Sequence, residues 1–114
     1  MAQEGYVEVA KVKDVPEGSM FGSAVSGTPI LVSRIGGKFY ATDAVCSHFY
    51  GYLPRGELKG STVICPVHKA QFDVPTGKVV KNVSAMMRLA SGRRASDLRT
   101  YEVQVVGDSV LIKV

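Results

Sequence analysis

Two short segments of this chain combine a thiol with an imidazole at close spacing. Cys46 and His48 stand two residues apart, and Cys65 and His68 stand three apart. Thiolate sulfur and imidazole nitrogen are side-chain donors for zinc and for iron. Because the chain contains only two cysteines and two histidines, these four side chains are its candidate ligands for a metal centre.

Each segment is expected to lie in a loop that follows a β-strand. Strand-like residues 38–41 precede the first segment and residues 62–64 precede the second. Two neighbouring β loops could bring all four side chains together, and a rigid sheet would then present the metal site. The sequence therefore predicts two metal-binding loops, at about 44–54 and 65–73.

Zinc and a two-iron cluster both remain compatible with two cysteines and two histidines. Zinc fingers usually place a cysteine pair before a histidine pair, whereas here each loop supplies one of each. That order suits two irons, with each loop contributing a thiolate to one iron and an imidazole to the other. We expect one [2Fe-2S] cluster per chain, and a zinc-stabilised structural module is the alternative.

Short runs of β-forming residues recur along the chain and predict an all-β fold. They cover residues 6–12, 30–35, 38–41, 62–64, 71–74, 78–80, 101–106 and 110–114. Gly36-Gly37 stands between two such runs and predicts a tight hairpin, since positive φ costs glycine little. Residues 84–90 are the one helix candidate, with Ser84 as its cap. Many short strands joined by turns indicate an antiparallel β sandwich or barrel.

Length and composition bound the class of protein. A chain of 114 residues with 46% hydrophobic residues predicts one globular domain, 1–114. The sequence shows neither a secretory signal pattern nor an apolar run of membrane-spanning length. We therefore expect a cytoplasmic monomer that does not bind a membrane.

The formal net charge of +4 is concentrated in residues 81–100. This segment holds one acidic residue, Asp97, against five basic ones: Lys81, Arg88, Arg93, Arg94 and Arg99. It could be a solvated surface loop or a docking patch for an acidic partner protein. Nucleic acid is not an expected partner, because the segment lacks interleaved aromatic residues.

At the two metal-binding segments the chain resembles the Rieske ferredoxin family, whose pattern is Cys-x-His followed by Cys-Pro-x-His. The resemblance continues in Phe72-Asp73 and Thr76-Gly77, after the second histidine, and in residues 98–101 and 106–108. It implies an antiparallel β fold with a small cluster-binding subdomain. It also implies that Cys46 and Cys65 bind the inner iron, and that His48 and His68 bind the outer iron.

Several positions bear on the redox potential and on the cover of the cluster. Respiratory members of the family carry serine and tyrosine hydroxyls where this chain has Ala70 and Phe72. Hydroxyl donors stabilise the more negative reduced cluster, so their absence predicts a midpoint potential nearer about −150 mV than +300 mV. Lys69 stands where the family usually has glycine, and residues 82–98 replace a proline-bearing loop that commonly covers the cluster.

The chain is expected to be an electron carrier and not an enzyme. A Rieske oxygenase also needs a mononuclear iron with two histidine ligands, and the cluster uses both histidines of this chain. Nor does any strand lead into a glycine-rich nucleotide-binding loop. The resemblance implies a ferredoxin that passes single electrons from a reductase to a terminal oxygenase or another redox partner. A non-catalytic interaction subunit of a larger reductase is the other alternative.

Overall fold

The computed structural model describes residues 5–46, 51–66, 69–81 and 96–113. Within these ranges the chain forms short strands and two 3-10 turns, Val12–Asp14 and Leu53–Arg55. The strands are β1 (Tyr6–Lys11), β2 (Met20–Val25), β3 (Thr28–Ile35), β4 (Lys38–Asp43), β5 (Glu57–Lys59), β6 (Thr62–Ile64), β7 (Gln71–Asp73), β8 (Val79–Lys81), β9 (Thr100–Tyr101), β10 (Val103–Val106) and β11 (Ser109–Lys113). No helix in the described part of the chain is long and apolar enough to cross a membrane.

The strands form three sheets, and every described strand pairing is antiparallel. The first sheet has the order β1-β11-β10, the second β2-β3-β4-β9 and the third β5-β6-β7-β8. The predicted all-β antiparallel fold is confirmed.

The second sheet is the middle layer of the molecule, and strand β3 shows this most clearly. Ile30 and Val32 belong to one core cluster, together with Val110 and Ile112 of the first sheet. Leu31, whose side chain points to the opposite face, belongs to a second core cluster with residues of the third sheet. Because both of its faces are covered, β3 is a continuous buried run and not an alternating one.

The predicted hairpin at Gly36-Gly37 is confirmed. Ile35 pairs with Lys38 across it, and both glycines have positive φ, 60° and 80°. This is the backbone that a two-residue type I′ turn requires. The two glycine N–H groups donate to the carboxylate of Glu17 over 2.7 and 2.6 Å, which ties the hairpin to the loop before β2.

Other element predictions need correction. The run 101–106 was expected to be one strand, and this is wrong: the chain leaves the second sheet after Tyr101 and enters the first at Val103. Strands β2 and β5 were not predicted, because Gly22 interrupts the apolar pattern of β2 and β5 contains only one apolar residue, Leu58. The helix candidate 84–90 lies outside the described residues.

Candidate metal centre

The first loop, residues 46–51, is closed by backbone pairing on both sides of its base. The N–H of Cys46 donates to the carbonyl oxygen of Gly51 over 2.8 Å. One residue further out, Val45 and Tyr52 form an antiparallel bridge. The loop therefore begins at Cys46, which lies at the end of a short ladder and not in a flexible connection.

The second loop, residues 65–70, is closed in the same way. The N–H of Cys65 donates to the carbonyl oxygen of Ala70 over 2.8 Å, and Ile64 pairs with Gln71 one residue further out. In both loops the cysteine N–H thus reaches the carbonyl five residues later. The predicted loop 65–73 is shorter than expected, because strand β7 begins at Gln71.

Both cysteines end in the same apolar interior. Cys46 and Cys65 are completely buried and belong to one core cluster, with Leu53, Phe72 and Leu98 among its members. A thiolate in apolar surroundings is unfavourable unless a cation stabilises it. Two sulfur donors at equivalent positions of two loops, shielded from water, fit an iron–sulfur centre.

Residues 52–57 connect the first loop to strand β5 of the third sheet, which also carries the second loop. On one side the N–H of Leu53 donates to the carbonyl of Ala44 over 2.8 Å. On the other side Glu57 pairs with Ile64, directly before Cys65. The expectation that two neighbouring loops present the ligands is therefore refined: the first loop leaves the second sheet, the second loop belongs to the third sheet, and this connection links them.

Glycine is required at one place in this connection and at one place that packs against it. Gly56 lies so close to the carbonyl of Ile64 that a Cβ would overlap it, and a Cβ on Gly22 would overlap the hydroxyl of Tyr52. Neither glycine has positive φ, so the requirement is for space and not for backbone conformation. Sequence reasoning missed both glycines. An isolated glycine inside a strand often marks a close approach of another group, and this signal could have identified Gly22.

The end of strand β4, just before the first loop, is held by a partly buried hydrogen bond. The Tyr101 hydroxyl donates to the Asp43 carboxylate over 2.6 Å. Burial, and then this hydrogen bond, raises the pKa of Tyr101 to about 12, although the Arg99 guanidinium 5.1 Å from the ring centre acts in the opposite direction. The N–H of Asp43 also donates to the carbonyl of Arg99 over 3.0 Å.

Three residues in and just after the second loop bear on its chemistry. Ala70 and Phe72 are both completely buried in the cluster that holds the cysteines, so no hydroxyl is offered at either position. Lys69 is exposed and has φ of 62°. The left-handed backbone explains why glycine would suit this position.

The remaining candidate ligands, His48 and His68, lie outside the described residues. So do most of residues 82–98 and most of the basic residues of 81–100, while Lys81 and Arg99 are exposed. Among the described residues no group of three potential ligands converges, and both histidines lie outside that set. The assignment of four ligands stays a prediction.

Comparison with known proteins identifies the family. The profile of the Rieske [2Fe-2S] domain matches residues 5–111. The chain is 31% identical over 110 residues to the ferredoxin component of naphthalene 1,2-dioxygenase/salicylate 5-hydroxylase systems from Ralstonia sp., with 96% of each chain covered.

Solved structures agree with the sequence relatives. The ferredoxin of carbazole 1,9a-dioxygenase from Nocardioides aromaticivorans IC177 superposes with a TM-score of 0.79 at 30% identity, covering 96% of this chain and 97% of that one. A chain in the complex of reduced oxygenase and oxidized ferredoxin in carbazole 1,9a-dioxygenase gives 0.77 at 28% identity, covering 97% and 94%. The cofactor of this fold is a Rieske-type [2Fe-2S] cluster. With a profile match over most of its length and two buried cysteines at equivalent loop positions, this chain belongs to the Rieske [2Fe-2S] domain family.

Proposed function

We propose that this chain is a one-electron carrier whose cluster is held by Cys46, His48, Cys65 and His68. One observation carries the proposal: the two loops are closed by the same hydrogen bond, from Cys46 to Gly51 and from Cys65 to Ala70. This closure places two thiols at equivalent positions in one buried interior. A pair of loops of this kind can offer one sulfur and one imidazole each.

The residues around the two cysteines would shield the cluster of such a carrier from water. When bound, a Rieske cluster accepts and releases one electron per cycle. Leu53 and Phe72 are completely buried beside the cysteines and exclude water from that side. Low polarity there limits the reorganisation of solvent that accompanies each electron transfer.

The proposed partners are a reductase as donor and a terminal oxygenase as acceptor. Support comes from the relatives, which include ferredoxin components of naphthalene 1,2-dioxygenase systems, and from a ferredoxin in complex with its oxygenase. We propose further that residues 1–114 form one domain without a catalytic site of its own, in the cytoplasm. The two histidines of the chain are used by the cluster, so none remains for a mononuclear iron.

Metal content and spectroscopy of the purified chain test the cluster. We expect iron and acid-labile sulfide in equal amounts, two of each per chain, and a paramagnetic resonance signal that appears on one-electron reduction. Cys65→Ser should abolish both the iron and the signal. Zinc without iron would instead establish the structural module, and this part of the proposal would fail.

Reconstitution tests the carrier role. The holoprotein should be required for product formation when it is mixed with a reductase and a terminal oxygenase of the naphthalene 1,2-dioxygenase type. Product formation at the same rate without the chain would contradict the role of carrier. A cluster that is present but cannot be reduced by any such reductase would favour the interaction subunit.

A further inference from the structure

A basic groove lies beside the second loop. It has a volume of about 390 Å³, and its cations are Arg55, Lys59 and Lys69. They come from three different parts of the chain: the 3-10 turn after the first loop, strand β5 and the second loop. All three side chains are exposed, so the fold gathers positive charge at a concave surface next to a loop that carries a proposed ligand.

Internal partners compensate little of this charge. Among the described residues that line the groove, Glu57 is the one carboxylate. It lies 3.8 Å from the ammonium group of Lys59, and their side chains are 67% and 73% exposed. A pair so long and so exposed is weak. Arg55 has its guanidinium carbon 6.0 Å from the centre of the Tyr52 ring, which orients the cation without neutralising it.

Part of the lining of the groove is bare backbone. Gly56 contributes no side chain and lies directly against the carbonyl of Ile64. The cations therefore stand around a depression. A carboxylate on a short side chain could enter it and approach more than one of them, which a flat surface of lysines would not allow.

We infer that this groove, formed by Arg55, Lys59 and Lys69, docks an acidic segment of the redox partner protein. The inference rests on the proposed function, since a carrier must bring its cluster close to a partner. Complementary charge beside the second loop would orient the partner and raise the association rate. The segment 81–100 was the expected docking patch; none of the described residues that line the groove belongs to that segment, so the groove is a second basic surface.

Binding of a labelled hexaglutamate peptide to the holoprotein tests the docking chemistry. Fluorescence anisotropy at low ionic strength should show binding to the unaltered protein. The groove variant, Arg55→Gln with Lys59→Gln and Lys69→Gln, should bind the peptide roughly tenfold more weakly. Arg55→Gln with Lys59→Gln alters neither loop, so the cluster signal of this second variant should be unchanged while its peptide affinity still falls.

A charge-matched control separates the groove from the net charge of the protein. Lys13→Gln with Lys38→Gln and Lys113→Gln removes the same number of positive charges at exposed positions that do not line the groove. This control variant should lose less than about twofold in peptide affinity. An equal loss in the groove and control variants would overturn the inference.

Glu57 supplies a test with the opposite sign. Glu57→Gln removes the one carboxylate that competes for Lys59, so peptide affinity should rise, by about two- to fivefold. An unchanged or lower affinity would contradict docking in the groove. Tighter binding of an oligodeoxynucleotide of equal charge than of the peptide would also overturn the inference, in favour of a phosphate-binding surface.

Oxidation of the reduced protein by small complexes distinguishes failure of this inference from failure of the proposed function. One electron passes from the protein to hexacyanoferrate(III), an anion, or to hexaamminecobalt(III), a cation. The ratio of the two rates should fall roughly tenfold in the groove variant and stay within about twofold in the control variant. Absence of any reducible cluster would contradict the proposed function; a reducible cluster with an unchanged ratio would contradict only the groove.

Discussion

The hydroxyl of Tyr52 lies against the backbone of Gly22, at a point where strand β2 leaves no room for a side chain. Tyr52 also bridges to Val45 at the base of the first loop. The base of the first loop therefore packs on the second sheet through the ring of Tyr52. This contact depends on Gly22, which is distant in the sequence.

Gly22→Ala should therefore destabilise the protein and disturb the first loop. The added methyl group would overlap the hydroxyl of Tyr52, and Cγ of Pro54 lies 3.3 Å away, so overpacking should cost about 1–3 kcal/mol of unfolding free energy. Denaturant unfolding of the holoprotein measures the loss. Broader lines in the electron paramagnetic resonance spectrum of the reduced cluster would indicate that the loop is displaced.

Removal of the hydroxyl should partly restore the Gly22→Ala variant. Tyr52→Phe takes away the nearest atom, although the ring remains within 3.2 Å of the added methyl group. The double variant should lose less stability than the two single variants added together, with a coupling of about 0.5–3 kcal/mol. Additive losses would show that Gly22 is needed for a reason other than this contact.

Lys69→Gly should stabilise the protein. Lys69 has φ of 62°, and a left-handed backbone costs a residue with a Cβ about 1–2 kcal/mol that glycine does not bear. We expect a gain in unfolding free energy of about 1 kcal/mol after the greater entropy of unfolded glycine is included. Lys59→Gly is the matched control: Lys59 lies in strand β5, so the same change should destabilise there.

Ala70→Ser should raise the midpoint potential. Ala70 is buried beside Cys65 and closes the second loop through its carbonyl. A hydroxyl donor there favours the more negative reduced cluster, and a difference of about 1.4 kcal/mol corresponds to about 59 mV for one electron. Ala44→Ser, at another completely buried alanine of the same core cluster, is the control. Redox titration should show an upward shift for the first variant only.

Stability should fall at high pH because of Tyr101. The folded protein raises the pKa of this phenol from 10.0 to about 12, so folding favours the protonated form. Its contribution to stability is complete below pH 10 and is lost as the pH rises from about 10 to about 12. Tyr101→Phe should remove this part of the pH dependence, measured as unfolding free energy against pH.

The two causes of the Tyr101 shift can be separated. Burial is the larger cause and the hydrogen bond to Asp43 the second. Asp43→Asn removes the negative charge and leaves the burial, so the pKa of Tyr101 should fall but remain above 10. An absorbance titration of the phenolate measures it. A return to 10 would show that the carboxylate alone is responsible.

The local pattern of the sequence determined the parts of the fold that depend on neighbouring residues. Gly36-Gly37 specified a hairpin because two successive residues with positive φ suit glycine. The spacing of Cys46 from His48, and of Cys65 from His68, indicated one metal-binding loop each. The predicted loops and most strand positions follow from such short-range preferences.

Relations between distant residues were decided only by the tertiary structure. Tyr52 meets Gly22 because the segment after the first loop packs against strand β2 of the second sheet. No periodicity in the sequence encodes which backbones come into contact. The division of 101–106 between two sheets likewise depends on which partner strands are available, β4 for Tyr101 and β11 for Val103.

The basic groove is a second feature that the tertiary structure decided and the local sequence did not. Arg55, Lys59 and Lys69 are separated in the sequence by acidic and apolar residues, and their local charge pattern is weaker than that of 81–100. Pairing of β5 with β6 and closure of the second loop bring them to one depression. The sequence by itself indicated which side chains could bind a metal, and the family match identified the cofactor. Tertiary packing decided which cations lie beside the second loop, because electrostatic fields depend on distance in space and not along the chain.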